Sequence, residues 1–131
     1  MVVLDTTFII HFLRNGKNAV EKSRSLPGPV CTTRINVFEV LIGIYSQKAE
    51  RQGVALETFN AFLGSLNVLE LDATSADEAA RISAELNKKG QTVHASDILI
   101  AAIALANKED AILTQNVKDF SRIGALKVET Y

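Results

Sequence analysis

The run Met1-Val2-Val3-Leu4-Asp5-Thr6-Thr7 decides how the rest of the chain is read. A short apolar stretch stops at an acid, a hydroxyl pair follows, and the apolar pattern Phe8, Ile9, Ile10, Phe12, Leu13 then resumes with helical spacing. This is the pattern of a buried strand carrying Asp5 at its carboxyl end, with Thr6 or Thr7 capping the next helix. In open parallel α/β sheets, ligands bind in the crevice beyond the carboxyl ends of the strands. A carboxylate there is a candidate for chemistry. The competing reading of Asp5 is plain helix capping, and the choice turns on whether other acids recur in comparable places.

Outward from that segment, short strands alternate with helices. Gly16 breaks the first helix, Asn18 to Ser25 fits a short polar helix, and Leu26-Pro27-Gly28-Pro29 forces a turn. A second strand at Val30-Cys31 leads to Thr32 or Thr33, either of which caps a helix with Ile35, Phe38, Leu41, Ile42 and Tyr45 at steps of three or four. Glu50 to Leu66 reads as a further amphipathic helix, and Val68-Leu69-Glu70-Leu71 as a half-exposed strand. Ser75 opens a helix that stops at Gly90, and Ser96 caps the most apolar helix, from Asp97 to about Asn107. Ala111-Ile112-Leu113-Thr114 is a buried strand, and Leu126 to Glu129 a final edge strand. The expected fold is α/β, a three-layer domain over residues 1–131 with a mainly parallel central sheet.

Composition narrows the classes. With 131 residues, 47% hydrophobic and 22% charged, the chain is large enough for one core. The longest apolar stretch, Ile98 to Ala106, falls short of the about 18 residues of a membrane span, so no membrane association is expected. No export signal opens the sequence, and a lone cysteine, Cys31, forms no internal disulfide, which suits a reducing cytoplasm. The net charge of −1 offers no global basic signal. Nucleic-acid binding would therefore depend on a local patch or on a metal.

The acids are informative as a set. Glu39 interrupts the apolar helix Val37-Phe38-Glu39-Val40-Leu41-Ile42, and partial burial there demands a partner: a cation, a hydrogen bond, or a salt bridge to Arg34 or Lys48. Asp97 opens the most apolar helix, where the helix dipole alone would account for it. Asn116 and Asp119, in Thr114-Gln115-Asn116-Val117-Lys118-Asp119-Phe120, follow a buried strand, where Asx turns are the simpler account. If the fold gathers these groups, like charges converge without a basic cluster in sequence, and they stay ionised together only around cations. Oxygen donors suit Mg²⁺ or Mn²⁺ rather than Zn²⁺. The chemistry this suggests is metal-assisted hydrolysis of a phosphodiester.

On Val3 to Ile10, Thr33 through Glu39 to Gly43, Asp97 to Ala102, and Leu113 to Phe120, the chain resembles PIN-domain ribonucleases over essentially its whole length. In length and layout it is similar to the VapC-type toxins of prokaryotic toxin–antitoxin pairs. The resemblance implies a PIN-like parallel sheet flanked by helices and an endoribonuclease site dependent on Mg²⁺ or Mn²⁺. It also implies an RNA substrate, a homodimer and a cognate VapB-type antitoxin. Carried over by position, Asp5, Glu39 and Asp97 match the metal-holding acids, and Asn116 or Asp119 completes the site. Thr6 and Thr114 are placed to orient those carboxylates. An antitoxin tail is expected on the helices around Val37–Tyr45 and Ala55–Phe62, which look richer in apolar residues than one core face needs.

Arg14, Lys17, Arg34, Lys118 and Arg122 lie near the ends of the acid-bearing elements and are the candidates for phosphate contacts. His11 is expected to be packed or at the surface, whereas His94, in the loop before Asp97, either touches substrate or fills the loop. The phenylalanines fall at core spacing, and no stacking platform of the single-strand-binder kind is visible. A dehalogenase-type phosphatase would want an acid where Thr7 stands, and a dinucleotide-binding domain would want glycines after the first strand. The alternative from another class is a catalytically silent PIN-like module that binds protein or RNA.

Overall fold

The apolar run of Val2–Leu4 forms the central strand, β1, of a five-stranded sheet in the order β3-β2-β1-β4-β5. The computed structural model describes residues 1–131. The other strands are β2 (Val30–Thr33), β3 (Asn67–Leu69), β4 (Ala111–Leu113) and β5 (Lys127–Glu129), and every pairing is parallel. Val3 stands opposite both Cys31 and Ile112, and Leu4 opposite Leu113. β1 and β4 are covered on both faces, which is why they read as unbroken apolar runs.

One face carries α1 (Thr6–Leu13), α2 (Lys17–Ser25), α3 (Arg34–Tyr45) and α4 (Ala49–Leu63), whose Phe8, Ile9, Val37, Val40 and Phe59 pack with Leu4 and Leu113. The other face carries α6 (Ala95–Ala106) and the short α7 (Val117–Phe120), packing Ile100, Ala101, Ala104 and Phe120 on Val3, Cys31 and Ile112. The alternation along β1 and β4 thus divides the core into two clusters, and α5 (Ala73–Lys88) backs α6 through Ala79, Leu86, Ile98 and Ala102. Cys31 is fully buried, as a core residue should be. His11 is packed: its Nδ1 shares a 2.7 Å hydrogen bond with the hydroxyl of Tyr131, whose ring meets Phe8 edge-on at 5.1 Å.

Several local expectations need correction. Neither Thr6 nor Thr7 caps α1; Asp5 takes the N-cap position, and its side chain makes no capping bond. Ser96 is likewise inside the first turn of α6, with His94 at the N-cap. At α5 the cap is Asp72 rather than Ser75, the two joined in a capping box. The helix around Glu50 to Leu66 starts at Ala49 and ends at Leu63, and β3 starts one residue earlier and ends two residues earlier than the alternation suggests. The α5 terminus follows expectation: Gly90 at φ +68° lets its own N–H reach Asn87 and that of Gln91 reach Leu86, closing a Schellman motif. No helix is long and apolar enough to cross a membrane.

Candidate active site

The strand order reverses beside β1: β2 and β3 lie on one side of it, β4 and β5 on the other. Such a switch point splays the connections apart and opens a crevice at the carboxyl ends of the strands. Asp5 leaves β1 there, and Thr114, Gln115 and Asn116 leave β4 beside it. The backbone N–H of Asp5 donates to the Leu113 carbonyl at 3.0 Å, so the two strand ends are locked in register. The crevice has a volume of about 380 Å³ and is lined by Asp5, Thr6, Thr7, Glu39, His94, Ser96, Asp97 and Asn116, none of them hydrophobic.

Asp5 is only 3% exposed, and both its oxygens are held: Oδ2 accepts from the Thr114 hydroxyl at 2.5 Å and Oδ1 from the Asn36 amide at 2.9 Å. This is the reason it does not cap α1. Asn36 is fully buried at the start of α3. Its carbonyl oxygen accepts from the Thr33 hydroxyl at 2.7 Å, while its amide also reaches the Thr6 hydroxyl at 3.0 Å. Thr6 in turn donates to Glu39 Oε1 at 2.6 Å. Half-buried Glu39 is therefore satisfied by a hydroxyl and not by Arg34, which pairs with Glu70 on the surface. A single chain of hydrogen bonds links β1, α1 and the first turns of α3.

Asp97 sits at the third position of α6, where an acid ordinarily turns back on the N-cap backbone. It accepts instead from the Asn116 amide at 2.6 Å, across the crevice. Asn116 is fixed by its own backbone N–H, which donates to the Thr114 hydroxyl at 2.9 Å. The same amide lies 3.4 Å from Asp119 Oδ2, and Asp119 stands behind Asn116 without lining the crevice. Burial pushes the Asp97 carboxyl up to about 6, and the charges of Asp5, Glu39 and Asp119 add to the rise while His94 opposes it. Burial also raises Asp5, against the lowering effect of its Thr114, Thr6 backbone and Asn36 hydrogen bonds.

The structure thus brings Asp5, Glu39, Asp97 and Asn116 to one crevice, with Thr6 and Thr114 behind them. The five basic candidates lie outside its lining. Arg34 is held by Glu70, and Arg122 donates to the Thr92 carbonyl at 2.7 Å. Arg14, Lys17 and Lys118 are exposed. Asn36 and Thr7 were missed by sequence reasoning. The spacing Thr33-x-x-Asn36 is a capping-box signature that could have drawn attention to Asn36; Thr7 carried no signal beyond adjacency to Asp5.

The donor chemistry allows a test of fit to a divalent cation. No group of three or more His, Cys, Asp and Glu side chains stands as a ready-made cage. Mg²⁺, however, is commonly held by one or two carboxylates and keeps several of its waters. Asp5 and Asp97 supply hard oxygen donors whose mutual repulsion a cation would relieve. The residues fit such an ion.

Comparison with known proteins bears on the family and the fold. The PIN domain family model matches residues 2–126. The chain is 28% identical over 130 residues to the tRNA(fMet)-specific endonuclease VapC of Shigella flexneri, covering 98% of this chain and 96% of that protein. It is 34% identical over 130 residues to Ribonuclease VapC1 of Rickettsia felis, covering 98% and 95%. Among solved structures, the DNA-bound VapBC of Salmonella typhimurium superposes with a TM-score of 0.86 at 27% identity, covering 99% and 98%. Rickettsia felis VapBC2 bound to a promoter fragment gives 0.88 at 22% identity, covering 100% and 99%, a likeness of fold.

Proposed function

The chain belongs to the PIN-domain family, and on that footing we propose that it is a divalent-metal-dependent endoribonuclease, the toxin of a VapBC-type toxin–antitoxin pair. The observation that carries this reading is the pair Asp5 and Asp97, buried acids from β1 and α6 that face one wholly polar crevice at the switch point. Asp5 and Asp97 would hold Mg²⁺ or Mn²⁺, with Glu39 as a further ligand or water-orienting group, and the ion would supply Lewis-acid activation of water and of the phosphate.

The remaining chemistry belongs to the side chains. Thr114 and Asn36 aim the two Asp5 oxygens, and Asn116 aims Asp97. Asn116 is the fourth site residue in this reading, with Asp119 contributing charge from behind it. Thr6 fixes one Glu39 oxygen, leaving the other for water at the scissile phosphate. Hydrolysis joins the water oxygen to phosphorus as the bond to the leaving oxygen breaks. Exposed Arg14, Lys17 and Lys118 anchor the RNA backbone outside the crevice, where lysine and arginine position a strand without reading its sequence. Arg34 and Arg122 would join them only by exchanging Glu70 and the Thr92 carbonyl for phosphate. The Shigella relative's name makes transfer RNA the first substrate to try.

The antitoxin partner covers the outer face of α3. Phe38, Ile42 and Tyr45 are 60%, 50% and 59% exposed, and Val54 on α4 is 70% exposed. Most of the apolar residues expected to be surplus on α4 are otherwise engaged: Phe59 is buried, and Ala55, Leu56 and Phe62 pack against the core. The protein works as a homodimer in the cytoplasm in this reading. The test is cleavage of a mixed pool of transfer and ribosomal RNA by antitoxin-free protein with Mg²⁺, Mn²⁺ or EDTA. Metal-dependent cleavage lost in Asp5→Asn and Asp97→Asn supports the reading; RNA binding without cleavage by folded wild-type protein would replace it with a silent binding module.

A further inference from the structure

We propose that His94 is a substrate-contacting residue of the cleavage site, its imidazole N–H donating to a non-bridging oxygen of the RNA phosphate that enters the acidic crevice. This rests on the nuclease reading above. A phosphodiester carries its own negative charge into a lining that contains Asp5, Glu39 and Asp97. The remaining lining groups are neutral hydroxyls and one amide, apart from His94. No lysine or arginine lines the crevice, so His94 is its one side chain able to carry positive charge. Even when neutral, an imidazole retains one N–H donor.

The backbone holds His94 in place without employing its side chain. The residue occupies the N-cap position of α6, and its carbonyl accepts from the Ile98 N–H at 3.1 Å. An N-cap normally bears serine, threonine, aspartate or asparagine, whose oxygen satisfies a first-turn N–H. His94 makes no such bond. Its exposed ring is also outside the hydrogen bonds that tie Asp5, Thr6, Asn36, Glu39, Asp97 and Asn116 together. Local folding therefore gives no reason for histidine here. The ring nevertheless lines the same crevice as Asp97, which follows three residues on in the first turn of α6. An N–H donor that lines the crevice beside the three acids and is committed to no partner in the fold is suited to take an oxygen of the phosphate that enters there.

The experiment uses the full chain and the RNA species that wild-type protein cleaves from a mixed transfer and ribosomal pool. His94→Ala, His94→Gln and Asp5→Asn are compared by kcat and KM across pH 6 to 8, with thermal unfolding alongside. His94→Ala should lower kcat/KM by about 10- to 100-fold, the size of a lost hydrogen bond to a charged group, with the melting temperature held. His94→Gln, which keeps an N–H donor, should recover part of the loss. Unchanged kcat/KM in His94→Ala overturns the proposal. So does an equal loss in both His94 variants that amounts only to a displaced acid limb of the pH profile, since His94 would then act through Asp97. Absence of any wild-type cleavage that Asp5→Asn abolishes fails the nuclease reading itself, and the proposal with it.

Discussion

Replacing Asp97 with asparagine should abolish cleavage and yet stabilise the fold. An ordinary aspartate titrates near 3.8, whereas Asp97 titrates at about 6 in the folded chain, chiefly because it is buried and then because Asp5, Glu39 and Asp119 surround it. At about 1.4 kcal/mol per tenfold, the gap means that ionising Asp97 costs the folded state up to about 3 kcal/mol above pH 6. Asparagine has a similar shape and still accepts from the Asn116 amide. The weaker neutral hydrogen bond and the lost interaction with the α6 dipole together return about 1 kcal/mol. The net expectation is about 2 kcal/mol, or roughly 5–10 °C in melting temperature.

The pH dependence gives a sharper test. Between pH 3.8 and 6 the folded protein binds more protons at Asp97 than the unfolded chain does, so wild-type stability falls as pH rises through that window. The asparagine of the variant does not titrate. The advantage of Asp97→Asn should therefore be small below pH 4, grow to pH 6, and level off above it. Urea unfolding of both proteins from pH 3.5 to 8 in EDTA measures this directly. A variant less stable at pH 7.5, or an advantage equal at every pH, would refute the assignment of Asp97 as a strained, buried acid.

Three further outcomes follow from the geometry. Asn36→Ala strips Asp5 Oδ1 and the Thr33 hydroxyl of a buried partner; it should cost about 2–4 kcal/mol by denaturant titration and reduce cleavage even where the protein remains folded. Lys108 holds φ +61° at the end of α6, with the Glu109 N–H on the Ala104 carbonyl, so Lys108→Gly should raise stability by about 0.5–1 kcal/mol without touching activity. Ile42→Glu, on the exposed α3 stripe, should leave melting and RNA cleavage intact while weakening antitoxin binding by tenfold or more; unchanged affinity in calorimetry would move the interface elsewhere.

Much of this molecule is visible in one dimension. The apolar runs of β1 and β4, the stepping of α3 and the apolar character of α6 are local patterns, and burial on both sheet faces is what writes them. Asp5, Glu39 and Asp97 stand out because an acid that interrupts or abuts such a run is costly to bury without a purpose. The four-residue α7 is too short to show a period. The caps of α1 and α6 were misplaced for a different reason: the helices begin at Thr6 and Ala95, so Thr6, Thr7 and Ser96 fall inside the first turns while Asp5 and His94 take the N-cap positions.

Which side chain each acid meets is what only the tertiary structure decided. Thr114 reaches Asp5 across 109 residues, Thr6 reaches Glu39 across 33, and Asn116 reaches Asp97 across 19. Asn36 reads as an ordinary polar residue in a first helical turn, and it becomes buried only because α3 starts against the end of β1. Arg34 is near Glu39 in sequence, yet it points to Glu70 beyond β3. Residue types and periodicity depend on each segment's own burial and are therefore local. The hydrogen-bond partners depend on the strand order β3-β2-β1-β4-β5, which sets the carboxyl ends of β1 and β4 side by side.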